Sequence, residues 1–308
     1  MKICLKGKSR EEWLRLRKRG IGGSDAGAIC GMNPYSSPVK VYLDKVSEEV
    51  ELLDNEAMRV GRDLEEYVAR RFIEETGKKV RRSNFMYVSD RNPFMLADVD
   101  RLVVGENAAL ECKTANIYQA DQWKDGNVPE SYYIQCQHYM AVMDLDAVYI
   151  AVLIMGKGFL WQRLERDAEL LSYLVSIEQD FWENHVRIKR MPDPDGSPAS
   201  EQIISRYFPG SSGKSVELDG FDEKLQRREE LCGLIEKMTA EQKKIEQELK
   251  LYLGEHDADR GTCSRYSVSW TPVSSMRINT ELLKQEQPEI YRQYCKESSY
   301  RRLSVRTA

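Results

Sequence analysis

Two apolar runs, Leu102-Val103-Val104 and Ala109-Leu110, flank the tripeptide Gly105-Glu106-Asn107. A glycine and an asparagine between short apolar runs read as the turn of a β-hairpin. Side chains on a strand alternate faces, so Glu111 and Lys113 share one side while Cys112 points into the body. Asp100 starts the partner strand and reaches the same end of the hairpin. Two carboxylates and an ammonium then converge on one spot. Such a set can hold a hard divalent cation through oxygen, and it can place a cation or proton shuttle beside an attacking water. An acid-x-lysine triplet is also a common solvated, salt-bridged strand face. The other motifs of the chain decide between these readings.

At 308 residues and 41% apolar content the chain can bury a large core. Its net charge of −4 excludes a protein that coats nucleic acid with its whole surface, so any polyanion site must be local. The first forty residues carry such a basic bias. No apolar run reaches the length of a membrane helix and no signal peptide opens the chain, which leads us to expect a soluble, cytoplasmic protein (host cytoplasm if phage-encoded) with no membrane partner. The seven cysteines are scattered without a C-x-x-C pair, and the three histidines, at 138, 185 and 256, are far apart. Neither a zinc site nor a disulfide framework is signalled, and each histidine reads as structural.

Along the chain, Ser9 and Glu12 form a capping-box pattern for a helix over 9–19. Gly20-Ile21-Gly22-Gly23-Ser24-Asp25 is a tight turn into a short small-residue helix, with Arg17 and Arg19 just before it. That turn is either a phosphate cradle at a helix start or a place where helices pack closely. Residues 55–76 read as a long helix striped by Met58, Leu64, Val68, Phe72 and Ile73 and closed by Gly77, with Glu65 and Glu66 in its middle. Strands are expected at 85–88, 96–104, 110–113, 149–155 and 159–164, and helices at 131–143 and 168–190. The order predicts an α/β (α+β) fold with a mixed sheet flanked by helices. Residues 191–220 read as a linker or lid. Residues 221–254 read as a coiled-coil-like helix that packs on its own chain, with Gln242 interrupting its seven-residue apolar repeat. Strands are expected over 265–273, and a basic-faced edge strand over 300–306.

In register, Trp13 with Arg17, Gly22-Gly23-Ser24-Asp25, Gly61-Arg62-Asp63-Leu64-Glu65, Ala97-Asp98-Val99-Asp100, Glu111-Cys112-Lys113 and Gln135-Cys136-Gln137-His138-Tyr139-Met140 resemble the YqaJ-type viral recombinase family. These are relatives of phage lambda exonuclease within the PD-(D/E)XK nuclease superfamily. The resemblance spans about residues 10–165. It implies a restriction-endonuclease-like nuclease core over 1–190, followed by the linker 191–220 and a helical, strand-containing extension over 221–308. The family usually carries a proline before its first aspartate, where this chain has Val99. Asp98 therefore competes with Asp100 as first ligand, and Asp100 is preferred because Ala97-x-x-Asp100 keeps the family register.

By that resemblance, Asp100, Glu111 and the Cys112 carbonyl would ligate magnesium, which manganese would replace, and Glu65 would complete a two-metal site. Lys113 would orient or deprotonate the attacking water, and Gln135 would position water or substrate. Arg17 and Ser24 would hold a terminal 5′ phosphate, with Arg19 in reserve. Tyr133 and Tyr139 read as core aromatics that could alternatively stack on bases. The implied activity is a DNA exonuclease resecting duplex ends 5′→3′, as a homo-oligomeric (trimeric) ring with a RecT-type annealing protein as partner. An endonuclease, or a DNA-binding assembly module without activity, are the alternatives.

Overall fold

A short strand, β1 (Lys2–Cys4), precedes α1 (Arg10–Arg17), which starts at the expected reciprocal cap between Ser9 and Glu12. The computed structural model describes residues 1–308 except Glu51, Leu53, residues 297–299, Thr307 and Ala308. Next come α2 (Gly23–Ile29), α3 (Pro38–Val46) and α4 (Glu56–Thr76). Asn55 caps α4, and Gly77 ends it at φ +69°, a left-handed conformation that glycine adopts without a Cβ penalty. Val68, Ala69 and Phe72 are the buried stripe of α4; Met58 and Ile73, expected in that stripe, are exposed.

The strands β2 (Val80–Arg82), β3 (Phe85–Val88), β4 (Leu96–Ala97), β5 (Arg101–Val103) and β6 (Ala108–Ala115) follow. The expected single strand over 96–104 is in fact two. β4 pairs with β3, and β5 pairs with β2 and β6, so the chain changes sheets at residues 98–100. A 3₁₀ helix (Ile117–Gly126) leads to α5 (Glu130–Met143), β7 (Ala147–Ile154), β8 (Gly158–Glu165) and α6 (Ala168–Phe181), which continues as a π-helical segment over 182–187. The main sheet has the order β2-β5-β6-β7-β8. Only the β6–β7 pair is parallel, with α5 as its crossover, so the sheet is mixed as expected. A small antiparallel sheet, β1-β3-β4, joins it.

Alternation along β6 and β7 sorts the core onto two faces. Ala109, Ala115, Val148, Ile150, Val152 and Ile154 pack with α5. Ala108, Leu110, Ala147, Tyr149 and Ala151 pack with Val68, Ala69 and Phe72 of α4. Each fully buried large apolar side chain contributes about 1.5–3 kcal/mol. One polar staple crosses the α5 face. His138, fully buried, bonds the Leu96 carbonyl through Nε2 (2.8 Å) and Glu178 of α6 through Nδ1 (2.7 Å), a structural use of this histidine.

The chain divides into two compact units, Met1–Pro209 and Gly210–Ala308. The stretch read as a linker over 191–220 holds a regular helix, α7 (Pro198–Tyr207), in the first unit; Ser197 accepts from the Ser200 N–H and Pro198 occupies the first turn. In the second unit, α8 (Asp222–Glu255) is followed by the hairpin β9 (Arg260–Thr262) and β10 (Ser267–Ser269), and by α9 (Thr280–Glu286) and α10 (Pro288–Tyr294). Among the described residues only Leu253 of α8 is buried, beside Gly261, while Ile235, Met238, Ile245 and Leu249 of its repeat are exposed. Residues 300–306 form no strand. Among the described residues, no helix is long and apolar enough to cross a membrane.

Candidate active site

The sheet change at 98–100 brings the chain's acids to the middle of β6. Glu111 and Lys113 alternate with Cys112 and lie with Ala109 and Ala115 on the α5 face, as period two requires. Arg101 is paired with Leu110, so one step further along this register Asp100 stands opposite Glu111. Asp100 Oδ2 accepts from the Cys112 N–H at 2.7 Å. Lys113 Nζ donates to Glu111 Oε1 (2.7 Å) and to Gln135 Oε1 (3.0 Å). Gln135 Nε2 in turn donates to the same Glu111 oxygen and to the Tyr139 hydroxyl, each at 2.8 Å. Gln135 and Tyr139 are four residues apart on α5 and so lie on one helix face. Asp100, Glu111, Lys113 and Gln135 are therefore brought together.

The charge balance of this cluster is unusual. Burial, then Glu111 and Glu65, hold the Asp100 carboxyl well above the ordinary carboxylate range. Burial, with Asp98 and Glu65 adding to it, also lifts Glu111 against the pull of Lys113. Burial works against the Lys113 ammonium, but Glu111 and Tyr132 outweigh it and raise Lys113 above its usual value. The charge around it favours Lys113 as an ammonium. It lies 4.6 Å from the centre of the Tyr132 ring, within cation–π reach.

Glu65 comes from α4, the helix on the opposite face. Its carboxylate is bonded by Arg101, which also binds Glu66 (2.9 Å) and the Asp100 carbonyl (2.8 Å). Among the described residues, no three His, Cys, Asp or Glu side chains stand together as a group able to hold a metal. Glu65, the third acid of the expected set, is instead engaged by Arg101. Cys112 turns its side chain to the α4 cluster, and burial pushes its thiol well above the usual value, so sulfur ligation is disfavoured and only its carbonyl is a candidate. The donor chemistry fits a hard cation at Asp100 and Glu111. Glu111 Oε2 is buried and has no hydrogen-bond partner, and buried carboxylate oxygens of that kind are stabilised by a bound positive charge.

Asp98 stands near enough to Glu111 to add to its upward shift, while its own side chain has a separate partner. Its Oδ2 accepts from Trp13 Nε1, and its carbonyl accepts from the Tyr139 hydroxyl at 3.3 Å. Asp100 is the acid directly across the strand pair from Glu111, and Asp98 remains a candidate near the same carboxylate.

The phosphate candidates divide. Arg17 Nη2 donates to Ser24 Oγ at 2.7 Å, and the guanidinium stacks 4.9 Å over Trp13. Arg19 shares no hydrogen bond with either of them among the described residues; its N–H bonds the Leu16 carbonyl in the turn after α1. Asp25 caps the turn by accepting from Gly22 N–H (2.9 Å). Burial pushes its carboxyl up, yet Lys45 and then Arg17 bring it down to about 2. The close-packing reading of the glycine turn is borne out. A Cβ on Gly23 would lie 2.6 Å from the Tyr139 ring and 2.9 Å from Gln135 Cγ, so α2 needs glycine there to pack on α5.

Sequence reasoning missed Arg101, Lys45 and Tyr132. Lys45 Nζ is almost wholly buried between Asp25 Oδ2 (2.7 Å) and the Arg17 carbonyl (3.1 Å). Both cations find partners more than fifteen positions away, and no local pattern marks them. Tyr139 is buried and Tyr133 packs against the core, as the reading of core aromatics has it. Tyr132, one position before Tyr133, is the ring that faces Lys113.

The family model of the YqaJ-like viral recombinase domain matches residues 12–146. The uncharacterized protein YqaJ of Bacillus subtilis (strain 168) is 38% identical over 303 residues, covering 97% of this chain and 94% of that protein. Among solved structures, the alkaline exonuclease LHK-Exo of Laribacter hongkongensis superposes with a TM-score of 0.50 at 19% identity, over 65% of this chain and 98% of its own. The same enzyme in complex with dAMP gives 0.51 at 20% identity over the same shares. At that identity the likeness shows the fold, which is the phage-exonuclease type of mixed α/β core.

Proposed function

Because the chain belongs to the YqaJ-like viral recombinase family, we propose that it is a divalent-metal-dependent DNA exonuclease that resects duplex ends 5′→3′ and leaves 3′ single strands for recombination. The observation that carries this reading is the buried cluster in which Lys113 and Gln135 both bond one oxygen of Glu111 while its other oxygen is buried without a partner. An annealing protein of the RecT type and a ring-shaped homotrimer accompany the proposal.

Asp100, Glu111 and the Cys112 carbonyl would hold magnesium or manganese, and Glu65, now paired with Arg101, would be the further carboxylate for a second ion. When bound, the ion supplies Lewis-acid polarisation of the scissile phosphate and offsets its charge. Lys113 is held as an ammonium and stabilises the negative charge that develops on the phosphoryl oxygens. Gln135, fixed at both ends of its amide, orients the attacking water or the phosphate. Arg17 and Ser24 take the terminal 5′ phosphate, Arg17 through its guanidinium fork and Ser24 through its hydroxyl.

Digestion of linear duplexes labelled at either the 5′ or the 3′ end, with magnesium or with EDTA, tests this reading. Label is expected to leave 5′-labelled ends first, closed circles are expected to survive, and EDTA is expected to stop digestion. Nicking of closed circles would favour the endonuclease reading. Early release from 3′-labelled ends would reverse the polarity.

The Arg17–Ser24 pair makes a second prediction. Arg17→Ala is expected to slow digestion of 5′-phosphorylated ends about tenfold, the usual weight of a charge-assisted contact of about 1.5 kcal/mol, and 5′-hydroxyl ends much less. Equal slowing of both ends in a gel assay removes the phosphate role.

A further inference from the structure

Beside Lys113 lies an open cavity of about 270 Å³, formed by the loop after α2, the 3₁₀ helix and the start of α5. Tyr132 is shared between the two places: it lines the cavity and carries the Lys113 ammonium near its ring. Trp123, buried, leans on Tyr132 with ring centroids 5.8 Å apart. Tyr35 is 68% exposed, yet its hydroxyl is fixed by Gln119 Nε2 at 3.0 Å, and Gln119 in turn accepts from the Asn116 N–H. An exposed aromatic held in place by a side chain 84 positions away is not a loose loop residue. Gln122 and Glu130 also line the cavity and are exposed polar groups.

We propose that this aromatic slot receives a single nucleobase of the DNA strand being cut, stacked against Tyr35 and the Trp123–Tyr132 pair, with the Gln122 amide and Glu130 carboxylate meeting its polar edge. The inference rests on the nuclease reading and adds a subsite to it. The size is right for one base with part of its sugar, since cavities for drug-sized ligands start near 300 Å³. The chemistry suits any base, because every base has a π-face and an amide offers both a donor and an acceptor. The position suits the cut strand, because Lys113 and the slot share Tyr132. The slot does not overlap the Arg17–Ser24 pair, which sits at the other end of α2, where Gly23 meets Gln135 and Tyr139 rather than Ser131.

The test is calorimetric titration of the full chain in calcium, with deoxyguanosine 5′-monophosphate and with 2-deoxyribose 5-phosphate, which lacks the base. The nucleotide is expected to bind roughly tenfold tighter, as one base–aromatic stack supplies. Tyr35→Ala is expected to erase most of that gap and leave the sugar phosphate unaffected; Tyr35 is surface-exposed, so the variant keeps the core intact. Arg17→Ala is expected to weaken both probes alike and keep the gap. Equal affinities for the two probes, a gap that survives Tyr35→Ala, or no detectable heat at millimolar nucleotide overturns the slot. A protein that shows the gap but does not digest duplex ends overturns the nuclease reading and leaves the slot standing.

Discussion

Lys113→Ala is expected to slow cleavage of linear duplex by about 10²–10³-fold, the loss seen when one fixed electrostatic donor is removed from a phosphoryl- or acyl-transfer site. Binding of the same duplex in calcium is expected to change by only a few fold. The two effects are expected to separate because Lys113 is held beside Tyr132 and bonded to Glu111 and Gln135, where under the proposed function it would meet the reacting phosphate and not the length of the DNA. The substitution also leaves a buried carboxylate unpaired. The lysine and glutamate side chains are 17% and 6% exposed, and breaking a buried pair costs about 3–5 kcal/mol. Thermal melting must therefore accompany the kinetics. Loading the site with a divalent cation is expected to recover part of the lost stability while activity stays low. A variant that stays folded and cleaves at the wild-type rate would mean that this lysine is a structural partner of Glu111.

Asp100→Asn is expected to abolish metal-dependent cleavage and, in EDTA at neutral pH, to make the protein more stable. Asp100 sits among Glu111 and Glu65 at a buried position, and its folded value lies well above the usual 3.8. An acid raised on folding is favoured by low pH. Its stabilising effect is present while it is protonated and is lost as pH climbs from the unfolded value through the folded one. At neutral pH the metal-free fold therefore carries the strain of its own carboxylates. Asparagine removes that charge, and its amide oxygen can still accept from the Cys112 N–H. Gains at such sites are about 1 kcal/mol, or about 2–4 °C in a melt of a unit this size. Adding magnesium is expected to raise the wild-type melting temperature and not that of the variant. A variant less stable than wild type in EDTA at pH 7 would show that Asp100 is held in place by its surroundings without repulsion.

The hairpin and the helix over 55–76 were legible because their signals are local: period-two alternation around Gly105, and a left-handed glycine after a stripe of buried side chains. The convergence of Glu111, Lys113 and Gln135 followed from alternation on β6 together with the resemblance over residues 10–165. The division of 96–104 between two sheets was not legible, because partner choice by β3 and β6 is a long-range matter. The pairing of Glu65 with Arg101 was hidden for the same reason. Helix α7 was missed although Ser197-Pro198 is a fair start signal, since the surrounding prolines, aspartates and glycine read as a break.

Gly23 has a mechanical consequence. The turn bearing Ser24 rests directly on the ring of Tyr139 and the stem of Gln135, with no room for even a methyl group between them. If the proposed roles of Arg17, Ser24 and Gln135 hold, end recognition and bond cleavage ride on one rigid block, and the gap from the anchored terminus to the reacting linkage acts as a ruler. Such a device would trim a piece of constant length at each stroke, whatever bases the strand carries.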